Sequence, residues 1–555
     1  MKNVVILLLV FCGGIGVAKV LETNRATRQI KERRHNLSLR RPLQEGPVYG
    51  GILRWGTSNP PKIFNPVLTT HSVSASLMEL VFDSLVRING EGEVVPSLAE
   101  AWTISEDHRV YTFRLREDVF FHDGQPLTAD DVVFTYQAII DHANDSGWRF
   151  NLNVIKEIRA VDPRTVRIVL KEPSTNLLYY LVREVVPRHL LAGVDLETAS
   201  FNYHPVGSGP FRFKSWDRQT NRIVLEANPD YFQGRPYLDA IEVVSFPDFA
   251  SLWKAFMREE IDLIQFMDRP NFLVVQKDPV FKAFETVGGA YYALAYNTND
   301  PVLSDIRVRR ALAKTINKQE VITYILGGRA RVSWGPFSQG SPRFNTDIPF
   351  LPYNPREALL DLGNLGWADR DGDRFLEKDG QTFELRVLID DRSEMLDKIG
   401  ATIRKQLAEI GVKLIPIFYH TIDDLDERFL KKYRPQAWLR LYYGDSIEPE
   451  MALQEWVEDN NLLKDLNWYR NDRLDRLVEM IRETTDPDQR NALFRRAHAL
   501  IYQDQPACFL FYPTALSAVA RKFKNVEEYF TPYMPIYTMK NWYIREDYVR
   551  EEYPY

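Results

Sequence analysis

Few residue groupings in this chain have the types and spacing to do chemistry, and a turn explains each of them better. Asp369, Asp371 and Asp373, in the run Asp-Arg-Asp-Gly-Asp-Arg, space three carboxylates as a calcium loop does. Such a loop needs glycine at its sixth position and glutamate at its twelfth. Here those positions hold Arg374 and Gly380, so a polar turn ahead of a strand is expected. His122-Asp123 sets a base beside a carboxylate, as a proton shuttle would, but Gly124 follows and marks a turn. Gly207-Ser-Gly209 begins like a dinucleotide-binding fingerprint, yet Arg212 stands where the third glycine is needed. There is no Gly-Lys dipeptide for a phosphate loop, no H-x-x-x-H pair for zinc and no G-x-S-x-G nucleophile elbow. The two cysteines, Cys12 and Cys508, exclude a disulfide scaffold and a thiolate zinc cluster. The sequence points to no catalytic residue, no cofactor and no metal.

The elements that would position a binding site are far better marked. With 555 residues, 45% hydrophobic and 26% charged, the chain has an ordinary folded composition. At roughly 150 residues per domain, about three domains are expected. No apolar run approaches the ~20 residues of a membrane span, which excludes a polytopic transporter. The stretch 19–41 carries eight basic residues against Glu22 and Glu32. Removing it and Lys2 leaves 61 basic against 74 acidic residues, a net charge of −13. A body that acidic repels phosphate backbones, so nucleic acid is excluded as a partner.

Residues 4–18 form an apolar and glycine run of 15 after Lys2, which suits an export signal or a short membrane anchor. Phe11 precedes Cys12, where a lipidation motif places a small residue. The basic stretch after the run opposes translocation, and the contrary expectation is a tail anchored facing the cytoplasm. Export is the expectation retained, with the body outside the cytoplasm, either free or tethered through 4–18.

Periodicity then marks alternating elements. Strands are expected near 51–56, at Val110–Leu115, Thr165–Leu170, 223–226, 241–246 and 291–296. Helical spacing covers 74–86, and a helix starts at Thr128, whose capping box is completed by Asp131. A helical region follows over 304–326. Strand 383–389, helix 397–410 and strand 412–418 form an α/β module.

Four blocks in order resemble the family 5 extracellular solute-binding proteins, the peptide-binding subunits of ABC importers. The first runs from Val95-Pro-Ser-Leu-Ala-Glu-Ala-Trp102 through Tyr111-Thr-Phe-Arg-Leu-Arg116 to Phe121-His-Asp-Gly124 and Thr128-Ala-Asp-Asp-Val132. The others are Pro205-Val-Gly-Ser-Gly-Pro-Phe211, Asp305-Ile-Arg-Val-Arg309-Arg-Ala-Leu312, and 363–380 with its Asp-Gly-Asp turn. The resemblance implies an α/β, periplasmic-binding-protein-like fold with mixed sheets, two main lobes joined by a hinge and an inserted third lobe. It implies lobe I from 48–82, 206–296 and 516–555, an inserted lobe II at 83–205 and lobe III at 297–515. Residues 1–18 and 19–47 remain as signal or anchor and linker. The implied function is capture of peptides by hinge closure and delivery to an ABC permease and its ATPase, by a monomer. Relatives on this fold also carry oligosaccharides, metal chelates or opines, so another solute, or a membrane-tethered sensing role, is the alternative.

The resemblance also implies a site. Peptide binders carry a run like Trp-x-x-Asp-Tyr-x-Asp/Glu-Pro whose first Asp pairs with the ligand ammonium. Here the run is Tyr442-Tyr443-Gly444-Asp445-Ser446-Ile447-Glu448-Pro449, which gives Asp445 that role. Tyr442 replaces the usual Trp and Ser446 the usual Tyr. Tyr442, Tyr443 and Trp438 are the expected walls. Arg440 lies close in sequence, but only its proximity suggests it for a ligand carboxylate.

Overall fold

A computed structural model describes residues 46–68, 71–144, 146–174, 177–420, 424–444, 449–457, 468–484 and 486–545. Within it, Tyr49–Ile544 forms one compact unit. Among the described residues no helix is long and apolar enough to cross a membrane.

Strand β1 (Ile52–Thr57) and helix α1 (Ser72–Val81) open the unit. An antiparallel sheet follows, made of β2 (Ala99–Ile104), β3 (Val110–Leu115), β4 (Ile155–Asp162) and β5 (Thr165–Leu170) in the order β2-β3-β5-β4. It lies wholly between residues 83 and 205. Helix α2 (Ala129–Ile140) packs on β4, and both halves of the Thr128–Asp131 capping box are formed.

The chain then enters a twelve-stranded mixed sheet. Its first half holds β1 with β6 (Phe211–Asp217), β7 (Arg222–Ala227), β8 (Ala240–Ser245) and β9 (Leu263–Ile264). Helix α3 (Arg269–Lys277) and strand β10 (Phe281–Val287) complete that half. Its second half has β11 (Ala290–Tyr296), α4 (Ile306–Thr315), β12 (Ala330–Val332) and β13 (Glu384–Asp390). Helix α5 (Glu394–Ala408) joins β13 to the parallel β14 (Lys413–Tyr419), as the strand–helix–strand order requires. Leu396, Ile399, Ile403 and Leu407 line the buried face of α5, one helical turn apart. Helix α6 (Glu427–Tyr433), strand β15 (Ala437–Tyr443), helix α7 (Pro487–Asp504) and strand β16 (Ala507–Ala520) finish the pattern.

The 14-residue β16 joins the two halves of the sheet. Its residues 507–513 pair with β11 and β12, and its residues 514–520 pair with β10, with Ala518 and Val519 also facing β9. A second crossing runs through Gly288-Gly289, between β10 and β11. The sheet therefore changes partners at Gly288-Gly289. Strand β11 belongs with β15, to which it is paired along its whole length.

Two expected helices are corrected. The one over 74–86 stops at Val81, because Phe82 turns extended and Asp83 is taken up by buried partners. The Asp83 carboxylate accepts from Arg87, Tyr231 and Ser208 at 2.6, 2.8 and 2.9 Å, and Val86–Ile88 becomes a strand. The region 304–326 breaks at Ile316, where Asn317 caps a fresh helical turn by accepting from the Glu320 N–H.

Candidate functional site

The expected site lies at the end of β15, and alternation divides its residues between two faces. Trp438, Arg440 and Tyr442 share one face, while Leu441 and Tyr443 point the other way. Tyr442 is buried and stacked between Tyr291 and Trp456, with ring centroids 5.7 and 5.4 Å away. Burial pushes its hydroxyl up to about 12, against the opposing pull of Arg440. Trp438 is also buried, and its indole N–H donates to the Tyr419 hydroxyl at 3.1 Å. Both rings therefore back the strand rather than line an open wall. Tyr443 is 53% exposed and is the one expected wall residue that reaches solvent.

Arg440 has its own partners. Its guanidinium sits over the rings of Trp438 and Tyr442, at 4.5 and 4.1 Å, and its Nη2 donates to Glu455 at 2.6 Å. Burial disfavours that charge, but Tyr442 and Glu455 more than restore it. It is an internal clip between β15 and the segment 449–457, already spent as a carboxylate binder. Asp445, with Ser446 to Glu448, lies outside the described residues. Gly444 fixes where that run begins: its N–H donates to the Gly289 carbonyl at 2.9 Å. A Cβ at Gly444 would meet the Tyr512 ring at 2.9 Å, so glycine allows this approach. Gly444, the last described residue before Asp445, thus lies at the crossing between the halves of the sheet.

Sequence reasoning missed a charged group at the same crossing. Glu285 of β10 is held by Arg269 of α3 through two hydrogen bonds of 2.7 and 2.9 Å, and pairs with Arg331 of β12 at 3.0 Å. Arg269 also donates to the Gly328 carbonyl at 3.0 Å. Hydrogen bonding from Arg269 holds the Glu285 carboxyl below its usual range. The Gly288-Gly289 pair was the available signal, since two glycines between two strands mark a change of direction.

The decoys behave as turns. Asp369, Asp371 and Asp373 are exposed and have carboxylate oxygens within 4.8 Å of one another. They accept from the backbone N–H groups of Gly372, Asp373 and Phe375, at 2.8, 3.0 and 2.8 Å. His122 sits in its turn with Nδ1 accepting from Gly207 N–H and Nε2 bonded to the Gly209 carbonyl. Its neighbour Asp123 pairs instead with His189 at 2.7 Å.

A family model described as bacterial extracellular solute-binding proteins, family 5 Middle, matches residues 93–463. The oligopeptide-binding protein AppA of Bacillus subtilis is 28% identical over 514 residues, covering 90% of this chain and 92% of that protein. Its solved structure in complex with a nonapeptide superposes with a TM-score of 0.68 at 26% identity, covering 90% of this chain and 100% of that one. Heme-binding protein A of Haemophilus influenzae is 25% identical over 475 residues, covering 81% and 85% of the two chains.

Proposed function

The chain belongs to the family 5 bacterial extracellular solute-binding proteins, and from that premise we propose that it captures peptides outside the cytoplasm for an ABC importer. One observation carries the choice of peptide. Similarity to an oligopeptide-binding protein runs over nine-tenths of both chains, and that relative's structure was solved with a nonapeptide. The two halves of the large sheet close over the ligand about the crossings at Gly288-Gly289 and at 513–514 of β16. Asp445 pairs with the ligand α-ammonium by a charge-assisted hydrogen bond, and Tyr443 lines the approach. No covalent step is assigned to any residue. Export, with or without a tether through 4–18, and handover to a permease with its ATPase complete the assignment.

A thermal-shift screen tests this. A ligand at 100 times its dissociation constant adds about 2.7 kcal/mol to the folded state. Unmodified oligopeptides are expected to stabilise the chain, and heme and oligosaccharides to leave it unchanged. Stabilisation by heme alone would transfer the assignment to a second reading, motivated by the 25% identity to heme-binding protein A.

A further inference from the structure

Charge does not balance at the crossing between the half-sheets. Glu285 takes one hydrogen bond from Arg269 on each carboxylate oxygen, and Arg331 pairs with an oxygen that already serves Arg269. Two guanidiniums thus share one carboxylate, which leaves a positive charge in excess. Arg329, two residues earlier, adds to it. Its Nε donates to the Leu326 carbonyl at 3.2 Å, and among the described residues it meets no carboxylate.

The two guanidiniums on Glu285 differ in what they can still donate. Arg269 is spent: its Nε and Nη2 also donate to the Gly328 carbonyl, at 3.0 and 2.5 Å, and its side chain is 22% exposed. Arg331 has Glu285 as its one partner among the described residues, and its side chain is 59% exposed. Most of its five N–H groups are therefore open to a further acceptor.

Register places this guanidinium beside the end of β15. Arg331 stands opposite Tyr512 on β16, and residues opposite one another in an antiparallel pair share a face. The Tyr512 ring is the one that lies 2.9 Å from a Cβ built on Gly444. The row can be followed strand by strand. Gly444 N–H donates to the Gly289 carbonyl, Gly288 N–H donates to the Pro513 carbonyl, and Pro513 pairs with Ala330, next to Arg331. Three strand spacings separate Gly444 from Ala330, roughly 14 Å. An extended peptide of about four residues covers that distance.

We propose that Arg331 holds the C-terminal carboxylate of the captured peptide. The proposal rests on peptide capture with the ligand ammonium at Asp445, and it names the residue for the other end. A guanidinium meets a carboxylate in a planar, two-pronged geometry, and the excess positive charge at the crossing selects an anionic group. Glu285 keeps the Arg331 head over β16, so the head is in place before the ligand arrives.

Calorimetric titration of the whole chain with tetra-alanine and with tetra-alanine amide tests it, since the two differ only in the terminal charge. Tetra-alanine is expected to bind about tenfold or more tighter than its amide, the scale of a lost hydrogen bond between charged groups. Arg331→Gln is expected to weaken tetra-alanine by about tenfold or more and to leave the amide within about twofold. Its melting temperature is expected to hold, because an exposed ion pair contributes little to stability. Equal binding of acid and amide by the unaltered chain, or a preference for the acid that survives Arg331→Gln, would overturn the assignment of Arg331 and leave peptide capture standing. A chain that binds neither tetra-alanine nor longer unmodified peptides would overturn peptide capture, and this assignment with it.

Discussion

His498 on α7 carries one proton and has no room for a second. Its Nδ1 accepts from the Asn345 N–H at 3.0 Å, so its Nε2 must donate to the Trp334 carbonyl at 3.1 Å. The ring is fully buried, and burial pushes its pKa down to about 4. A second proton would put two N–H groups face to face at Asn345. In the unfolded chain the same ring titrates near 6.5, so between those values the unfolded state binds more protons. Stability from this residue is therefore complete above about pH 6.5 and is lost as pH falls toward 4. His122, held the same way between Gly207 and Gly209, is also pushed down to about 4 by burial. Chemical denaturation at pH 7 and pH 4.5 is expected to show a smaller acid loss in His498→Gln than in the unaltered chain, by up to roughly 3 kcal/mol. An equal loss in both proteins would mean that His498 does not set it. Neither histidine's role was legible in the sequence, because each depends on partners 85 or more residues away.

The glycine-rich run 206–211 is a packing device. Gly209 N–H donates to the Val81 carbonyl at 2.8 Å, and a Cβ on Gly207 would fall 1.9 Å from that same oxygen. Backbone cannot yield there as a flexible side chain would. Gly207→Ala is expected to cost about 3–5 kcal/mol in denaturant unfolding. Gly363→Ala, in the helix Pro355–Asn364 with nothing within 4 Å of a new Cβ, should instead gain roughly 0.5–1 kcal/mol. Elements of this kind were the most readable part of the chain. Alternation placed β3 and β5 at their observed ends, and the capping box placed the start of α2. Reading failed where a distant partner overrode local spacing. Leu85 continued the helical pattern past Val81, but the demand of Asp83 for Arg87, Tyr231 and Ser208 ended the helix first.

At the scale of the whole molecule, two thin connections carry the relation between the halves of the sheet. Glu285 and Arg331 face partner residues only four apart along β16, Leu516 and Tyr512, on either side of the point where its pairing changes. Arg269, reaching from α3 to both Glu285 and Gly328, spans that point with them. The family's motifs were legible as blocks, since each is a local turn or strand. The crossing was not, because strand partners are chosen across more than a hundred residues. The account rests on peptide capture by closure about these connections. Small-angle scattering of the chain with and without a saturating, unmodified oligopeptide tests that most directly. The account predicts that the radius of gyration falls on adding peptide, and that the fall is absent with the same peptide N-acetylated or with Asp445→Asn. A peptide that binds and leaves the radius unchanged, or an N-acetylated peptide that closes the chain equally well, would contradict it.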